Sequence, residues 1–451
     1  MSTAAAETLD YAPPVARPGI IARLGRSVWA LGDQVLISGT NFITGVLTAR
    51  ALSESEFGAF SIVYGVLLLA NILQSTLVTQ PHNVLGSTRG GRDYQRYTSS
   101  TALGQLIMLA AEAALIVPMA LIAYFGGWGS AAMLVALLPA IAFWQIQEFV
   151  RRVLYTERRH ADAFLNDLIG YGGQAALIAA LFFSGDRIGL KLNGATALGA
   201  LAAASAVASA VGLWRVRRSL AGVFDWKDLK ENWHFGKWLA GGELMGWCSS
   251  LHMQVWWAAM LIGVSASANL RAAQILFGPM RVITFFLGTV LPIRFARTLH
   301  AHGAPALRGQ VESVLIHLAP TAGVYCGLLA LFPELVLKVI FGADYADAGA
   351  ASVLRLFAVS AFLGYLQMVF VAALTAARLT RYVFLGTVWG CCIALVMSPA
   401  CIKLLGANGA ILSIIVTTLV VTSLQAWQYY RNLSGGAASA GAVTAAAGAA
   451  R

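Results

Sequence analysis

ANLRAAQILFGPMRVITFFLGTVLPI, residues 268–293, is a run long enough to cross a bilayer, and it carries two arginines. A span needs about 20 predominantly apolar residues. Arg271, Gln274, Gly278 and Arg281 fall at helical spacing, so they share one face. An arginine inside the bilayer costs roughly 2.5–3.5 kcal/mol on insertion scales. This face is therefore expected to meet water, an anion or a carboxylate rather than lipid. Pro279 beside Gly278 predicts a kink at mid-membrane, and broken helices recur at transporter sites.

Working outward, the chain holds about twelve runs of spanning length: 27–49, 57–80, 98–124, 129–150, 162–184, 194–214, 238–261, 268–293, 312–336, 350–376, 382–404 and 409–429. The chain is 58% hydrophobic and 11% charged, against roughly 45–50% and about 25% in soluble domains. The fold class is thus all-α and polytopic. About three quarters of the 31 Lys and Arg lie in alternate gaps between runs. The exceptions are Arg50, Arg187, Lys191, Lys338 and Lys403 in the other gaps, and Arg271, Arg281 and Arg355 inside runs. This positive-inside pattern predicts cytoplasmic termini. The net charge of +11 is spread over short loops at one membrane face. It predicts contact with anionic bilayer lipid and no nucleic-acid partner.

Five domains are expected: a cytoplasmic segment 1–26, an N-lobe 27–214, an amphipathic cytoplasmic connector 215–237, a C-lobe 238–430 and a disordered Ala/Gly-rich tail 431–451. In the connector, Trp226, Leu229 and Trp233 fall on one face, as in a helix lying flat at the interface. The lobes read as a parallel repeat. Ser75–Pro81 closes the second run as Gly288–Pro292 closes the eighth, and Asn193-Gly194-Ala195 introduces the sixth as Asn408-Gly409-Ala410 does the twelfth. Such repeats place the substrate site between them.

Polar residues recur at helical spacing in four runs. The first has Gln34, Ser38 and Asn41 beside Asp33; the second has Asn71; the seventh has Glu243, Ser250 and Gln254. With Arg271 and Gln274 they predict a hydrated central cavity. Interhelical hydrogen bonding explains Ser and Gly, but not Asp33, Glu243 and two arginines. Glu112, in the third run, is a weaker candidate for binding a proton or cation, and a partner in a neighbouring span is the preferred reading. No phosphate-binding loop, His-Glu-x-x-His or Cys-x-x-Cys occurs, so no catalytic residue, metal site or cofactor is expected. The five cysteines all lie in runs, which predicts no disulfide framework.

Gly32-Asp33-Gln34, Thr40-Asn41-Phe42, Ala49-Arg50-Ala51-Leu52-Ser53 and Glu56-Phe57-Gly58-Ala59-Phe60 resemble the first two spans of polysaccharide (Wzx-type) flippases. These belong to the multidrug/oligosaccharidyl-lipid/polysaccharide (MOP) superfamily, with MATE antiporters and lipid II flippases. Arg271-Ala272-Ala273-Gln274 with Pro279 and Pro292 looks like that family's eighth span, and Phe341-Gly342, Tyr345 and Ala348 look like its outer loop. The resemblance implies two six-helix lobes around a cavity that opens to either side in turn. It implies transport of an undecaprenyl-pyrophosphate-linked repeat unit across a bacterial cytoplasmic membrane for surface polysaccharide, with polymerase or export machinery as further partners. Arg281, Arg271 and Gln274 would meet the pyrophosphate; Gln34, Ser38, Asn41, Asn71, Ser250 and Gln254 would line the cavity; Asp33, Glu243 or Glu112 could couple H+ or Na+. Two alternatives stand beside it: a MATE-like multidrug antiporter, and a non-transporting subunit of a polysaccharide assembly complex.

Overall fold

The computed structural model describes residues 20–342 and 347–434, with side chains from Trp29 on; that of Arg281 is among the few within helices it does not describe. The segment 1–19, Tyr345 and the tail beyond 434 lie outside the described residues. The helices are α1 Ile20–Ala51, α2 Glu54–Thr88, α3 Gly91–Phe125, α4 Ala131–Thr156, α5 His160–Arg187, α6 Gly194–Val216, α7 Trp226–Cys248, α8 Leu251–Leu261, α9 Val264–Leu276, α10 Met280–Thr289, α11 Leu291–Leu331, α12 Pro333–Phe341, α13 Ala348–Ala376, α14 Thr380–Leu405 and α15 Ala407–Ser434. Nine of these are long and apolar enough to cross a membrane. α1 supplies one more rod, and α7–α8 and α9–α10 two broken ones, which completes about twelve.

Helices α1–α6 pack into one bundle and α8–α15 into another, and they meet where α2 runs beside α8 and α9. The bundles share a turn that sequence alone does not reveal. Arg158 between α4 and α5, and Arg378 between α13 and α14, both sit at positive φ, 61° and 59°. Arg159 N donates to Leu154 O and Arg158 N to Tyr155 O; Leu379 N donates to Leu374 O and Arg378 N to Thr375 O. Both are Schellman ends with arginine where glycine is usual. The paired tripeptides, by contrast, do different jobs. Asn193 caps α6, accepting from Thr196 N at 2.8 Å, and Glu56 of α2 accepts from Gly194 N at 3.0 Å. Gly409 instead lies under Cys401, where an added Cβ would stand 1.9 Å from the Cys401 carbonyl oxygen. Gly409→Ala is expected to cost about 1–3 kcal/mol, read as a lower melting temperature in detergent; an unshifted melt would show that the α14–α15 corner yields freely.

Four boundaries differ from the sequence reading. The connector is not a separate flat helix, because α7 runs unbroken from Trp226 to Cys248. Its buried face is Asp228, Asn232, Gly236 and Ala240, not the Trp226/Trp233 face, which stays exposed. Charge explains the choice. Asp228 accepts from Arg89 at 2.8 Å, Arg96 at 3.2 Å and Ser100 at 3.0 Å, and Tyr97 donates to Asn232 at 2.5 Å. Burial pulls the Asp228 carboxyl up, but these donors outweigh it and hold it below the ordinary carboxylate value. Second, 294–311 is helical within α11, interrupted only at Gly303 (φ 77°). Third, the ninth run ends at Leu331, and Pro333 opens α12 at a position where its missing N–H costs nothing. Fourth, α4 continues to Thr156, so Arg151 and Arg152 are helical rather than in a loop.

Candidate functional site: a charged cavity between the lobes

A cavity of about 1,090 Å³ lies between the bundles. Breaks in its walls put backbone and polar groups at mid-depth. The predicted kink is a break: α9 ends at Leu276, Phe277–Gly278–Pro279 turn, and α10 restarts at Met280. A second break falls at Ser249–Ser250, between α7 and α8. In α2 a π-turn at Ser75–Thr79 precedes Pro81, just as Pro292 opens α11 after α10. Such interruptions are tolerated at membrane depth where the backbone is protein-buried or lines a water-filled space.

Most of the predicted polar residues line this space: Asp33, Gln34, Ser38, Asn41, Asn71, Glu243, Ser250, Arg271 and Gln274. Gln34 donates to Ser38 at 3.3 Å. The Arg271 guanidinium lies over the Tyr64 ring at 4.7 Å and donates to Gln274 at 2.5 Å. Gln274 shares a 3.2 Å hydrogen bond with His252, which stacks on Trp247 at 4.7 Å. The backbone of Arg281 lies in the first turn of α10.

Two predicted residues are elsewhere. Gln254 is fully buried in the C-lobe, donating to Ser398 at 2.7 Å, which in turn bonds Ser413. It faces the α14–α15 core, where the Ser398 hydroxyl takes its amide N–H. Glu112 ends a buried amide chain in the N-lobe. Gln74 donates to Gln105 at 2.8 Å, Gln105 to Gln145 at 2.7 Å and Gln145 to Glu112 at 3.0 Å. Neither belongs to the cavity wall.

The largest omission in the sequence reading is the wall made by α4 and α5. Arg151 reaches three carboxylates at once: Asp33 at 2.6 Å, Glu148 at 3.2 Å and Asp167 at 2.8 Å. Tyr155 donates to Asp33 at 2.6 Å and Tyr171 to Glu148 at 2.9 Å. Its neighbour Arg152 also lines the cavity, and its guanidinium makes no ion pair or hydrogen bond with the described residues. The signal was present. Trp144, Glu148, Arg151–Arg152 and Tyr155 are spaced as one helical face, but counting these arginines as loop charges hid it. The arrangement divides the labour. The carboxylates Asp33, Glu148 and Asp167 are tied to Arg151, while Arg152 lines one wall and Arg271, over Tyr64 and bonded to Gln274, lines the other.

No protein-family profile and no curated protein matches the chain. Solved structures do. A MATE transporter in complex with MaL6 shares 15% identity at a TM-score of 0.61, covering 92% of this chain and 96% of that one. A MOP superfamily transporter from Pyrococcus furiosus, described as having a binding pocket of reversed polarity, shares 14% at 0.62, covering 92% and 95%. The lipid II flippase MurJ in an inward closed conformation shares 10% at 0.69, covering 91% and 90%. At such identities the likeness speaks for architecture alone, and on it the chain is an all-α polytopic membrane protein with the fold of the MOP superfamily transporters.

Proposed function

We propose that this protein flips a lipid-linked oligosaccharide, carried on a polyprenyl pyrophosphate, across a bacterial cytoplasmic membrane by alternating access. Both termini lie in the cytoplasm on this reading, and the product feeds surface-polysaccharide assembly, with the polymerase and export machinery as neighbours. The observation that carries it is the pair of arginines, Arg152 and Arg271, on opposite walls of a large cavity whose N-lobe carboxylates are held by a third. A pyrophosphate entering there meets guanidinium charge suited to phosphate oxygens. The amides of Asn41 and Asn71 line the same space and have no side-chain partner among the described residues, as hydrogen-bonding to sugar hydroxyls requires. The hydrocarbon tail stays in the bilayer at the lobe seam. With the cell interior negative, each exported negative charge is favoured by about 2.3 kcal/mol per 100 mV. Glu243 is the cavity carboxylate available to couple H+ or Na+, and Asp33 could do so only by leaving Arg151.

A MATE-like antiport of organic cations is the second reading, favoured by one observation: Glu243 lines the cavity and has no ion pair among the described residues.

The test is complementation of a deletion strain, scoring surface polysaccharide and lipid-linked intermediates. Arg152→Ala and Arg271→Ala are each expected to lower export about 10- to 100-fold, from the loss of a charged hydrogen bond of about 1.5–3 kcal/mol. Lysine at either position restores part of it, and Arg281→Ala reports on the third arginine. Intact polysaccharide in the deletion strain, together with new sensitivity to organic cations, would hand the site to the antiporter reading.

A further inference from the structure

A second hollow, of about 640 Å³, lies outside the central cavity at the basic-loop face of the N-lobe. It is walled by the start of α3, the α4–α5 turn and the end of α6. Four arginines line it: Arg159, Arg215, Arg217 and Arg218. Two are committed. Arg159 pairs with Asp162 at 2.8 Å and Glu157 at 3.1 Å, and Arg215 donates to the Asp162 carbonyl at 2.9 Å. Glu157 also accepts hydrogen bonds from Ser219 and Tyr94. The other two are not. Among the described residues Arg217 has no carboxylate partner; it lies over the Trp214 ring at 4.6 Å and donates to the Trp214 carbonyl. The Arg218 guanidinium has no partner among the described residues. The hollow thus holds two cations more than its acids offset.

Its position supplies the second half of the ligand. Trp214 is 64% exposed and Val207, two turns back along α6, 56%. A Trp at the end of a spanning helix sits at headgroup level, so apolar surface runs from the hollow's rim into the bilayer. A free phosphate has no use for that surface, and an acyl chain does. We propose that this hollow is a binding site for an anionic phospholipid, its phosphate held by Arg217 and Arg218 and its chains laid along α6 past Trp214 and Val207. Basic pockets between helices at the inner face suit such headgroups. The bound lipid would brace the link to the C-lobe, which leaves α6 at these arginines and is pinned to α3 by Gln95 donating to Arg218 O at 3.1 Å and Gly222 N donating to Ser99 at 3.1 Å.

The test reads lipid retained by the purified full chain in native mass spectra, after reconstitution in vesicles of phosphatidylethanolamine with phosphatidylglycerol and cardiolipin. R217Q/R218Q is compared with R378Q/R381Q, which removes the same charge from the same face away from the hollow. At about five-fold per basic residue, R217Q/R218Q is expected to lower anionic-lipid occupancy roughly 30-fold, and the control pair to leave it within two-fold. Equal loss in both pairs would mean diffuse attraction to the loops and would overturn the site. Trp214→Ala is expected to weaken lipid retention five-fold or more without changing competition by inorganic phosphate or pyrophosphate. Complete displacement of the lipid by millimolar phosphate, with Trp214→Ala neutral, would assign the hollow to a free phosphate instead. Transport activity enters none of these readouts.

Discussion

Arg151→Ala is expected to destabilise the N-lobe by about 3–5 kcal/mol, a large fraction of the roughly 5–15 kcal/mol that separates folded from unfolded in an ordinary domain. The guanidinium is the common partner of Asp33, Glu148 and Asp167, which come from α1, α4 and α5. All three acids are nearly inaccessible, at 1%, 7% and 0%. Removing the cation leaves three carboxylates facing one another with only Tyr155 and Tyr171 as donors. The cost is then mostly that of uncompensated buried charge, not of lost bonds. That distinction gives the control. Combining Arg151→Leu with Asp33→Asn, Glu148→Gln and Asp167→Asn removes the charge on both sides, and should recover most of the melting temperature that Arg151→Ala loses. If the quadruple variant melts as low as Arg151→Ala, shape rather than charge holds this corner. If Arg151→Ala melts like the wild type, the cluster contributes nothing to stability.

Gly58→Ala should act on conformation more than on folding. Gly58 lies on α2 against the start of α9, and a Cβ there would stand 2.0 Å from the Val264 carbonyl oxygen. The Cβ is held rigidly by its own backbone and the oxygen is itself backbone, on opposite lobes, so the strain is relieved only by parting the lobes by about 1 Å, a change packed interfaces resist. Three other hydrogen bonds close the same face. Trp256 donates to Ile62 O at 3.3 Å, and Arg50 donates to the carbonyls of Ile340 and Val339 at 2.6 and 2.5 Å. The expected result is a seam biased open towards the face opposite the basic loops. A single cysteine at Phe60, which is 8% exposed on the cavity wall, should react more than ten-fold faster with an impermeant maleimide added from that face, in a background lacking the native cysteines. Unchanged labelling in a folded Gly58→Ala protein would show that the closure is held elsewhere.

Architecture was largely legible in the sequence because the bilayer imposes a length and a charge asymmetry that any helical span must obey. The break at Gly278–Pro279 was legible for a local reason: proline removes a donor and clashes with the preceding turn. The break at Ser249–Ser250 has no such marker. The cavity wall was legible where polar residues interrupted an apolar run, as at Asn41, Asn71 and Arg271. It was not legible at Arg151 and Arg152, because arginines near a helix end look the same whether they reach into loop water or back into a cleft. Gln254 failed for the converse reason, while Glu112 meets the neighbouring-helix partner expected for it, Gln145. A buried amide or acid fits a cavity and a satisfied hydrogen-bond chain equally well, and only the partners Ser398 and Gln145 decide.

The docking of α7 has a kinematic consequence. Its first turns are fastened to the N-lobe through Arg89, Arg96 and Asp228, while its continuation across Ser249–Ser250 runs into the packing of the C-lobe. One margin of the cleft is therefore bound like the spine of a book. On the proposed alternating access, relative rotation of the lobes would turn about that margin, with the freest travel on the far side, where α1 faces α9 and α10. On the proposed function, a cargo trailing a chain tens of ångströms long would need a lateral slot on one side only, and a spine-bound cleft would offer that slot without ever separating its two covers.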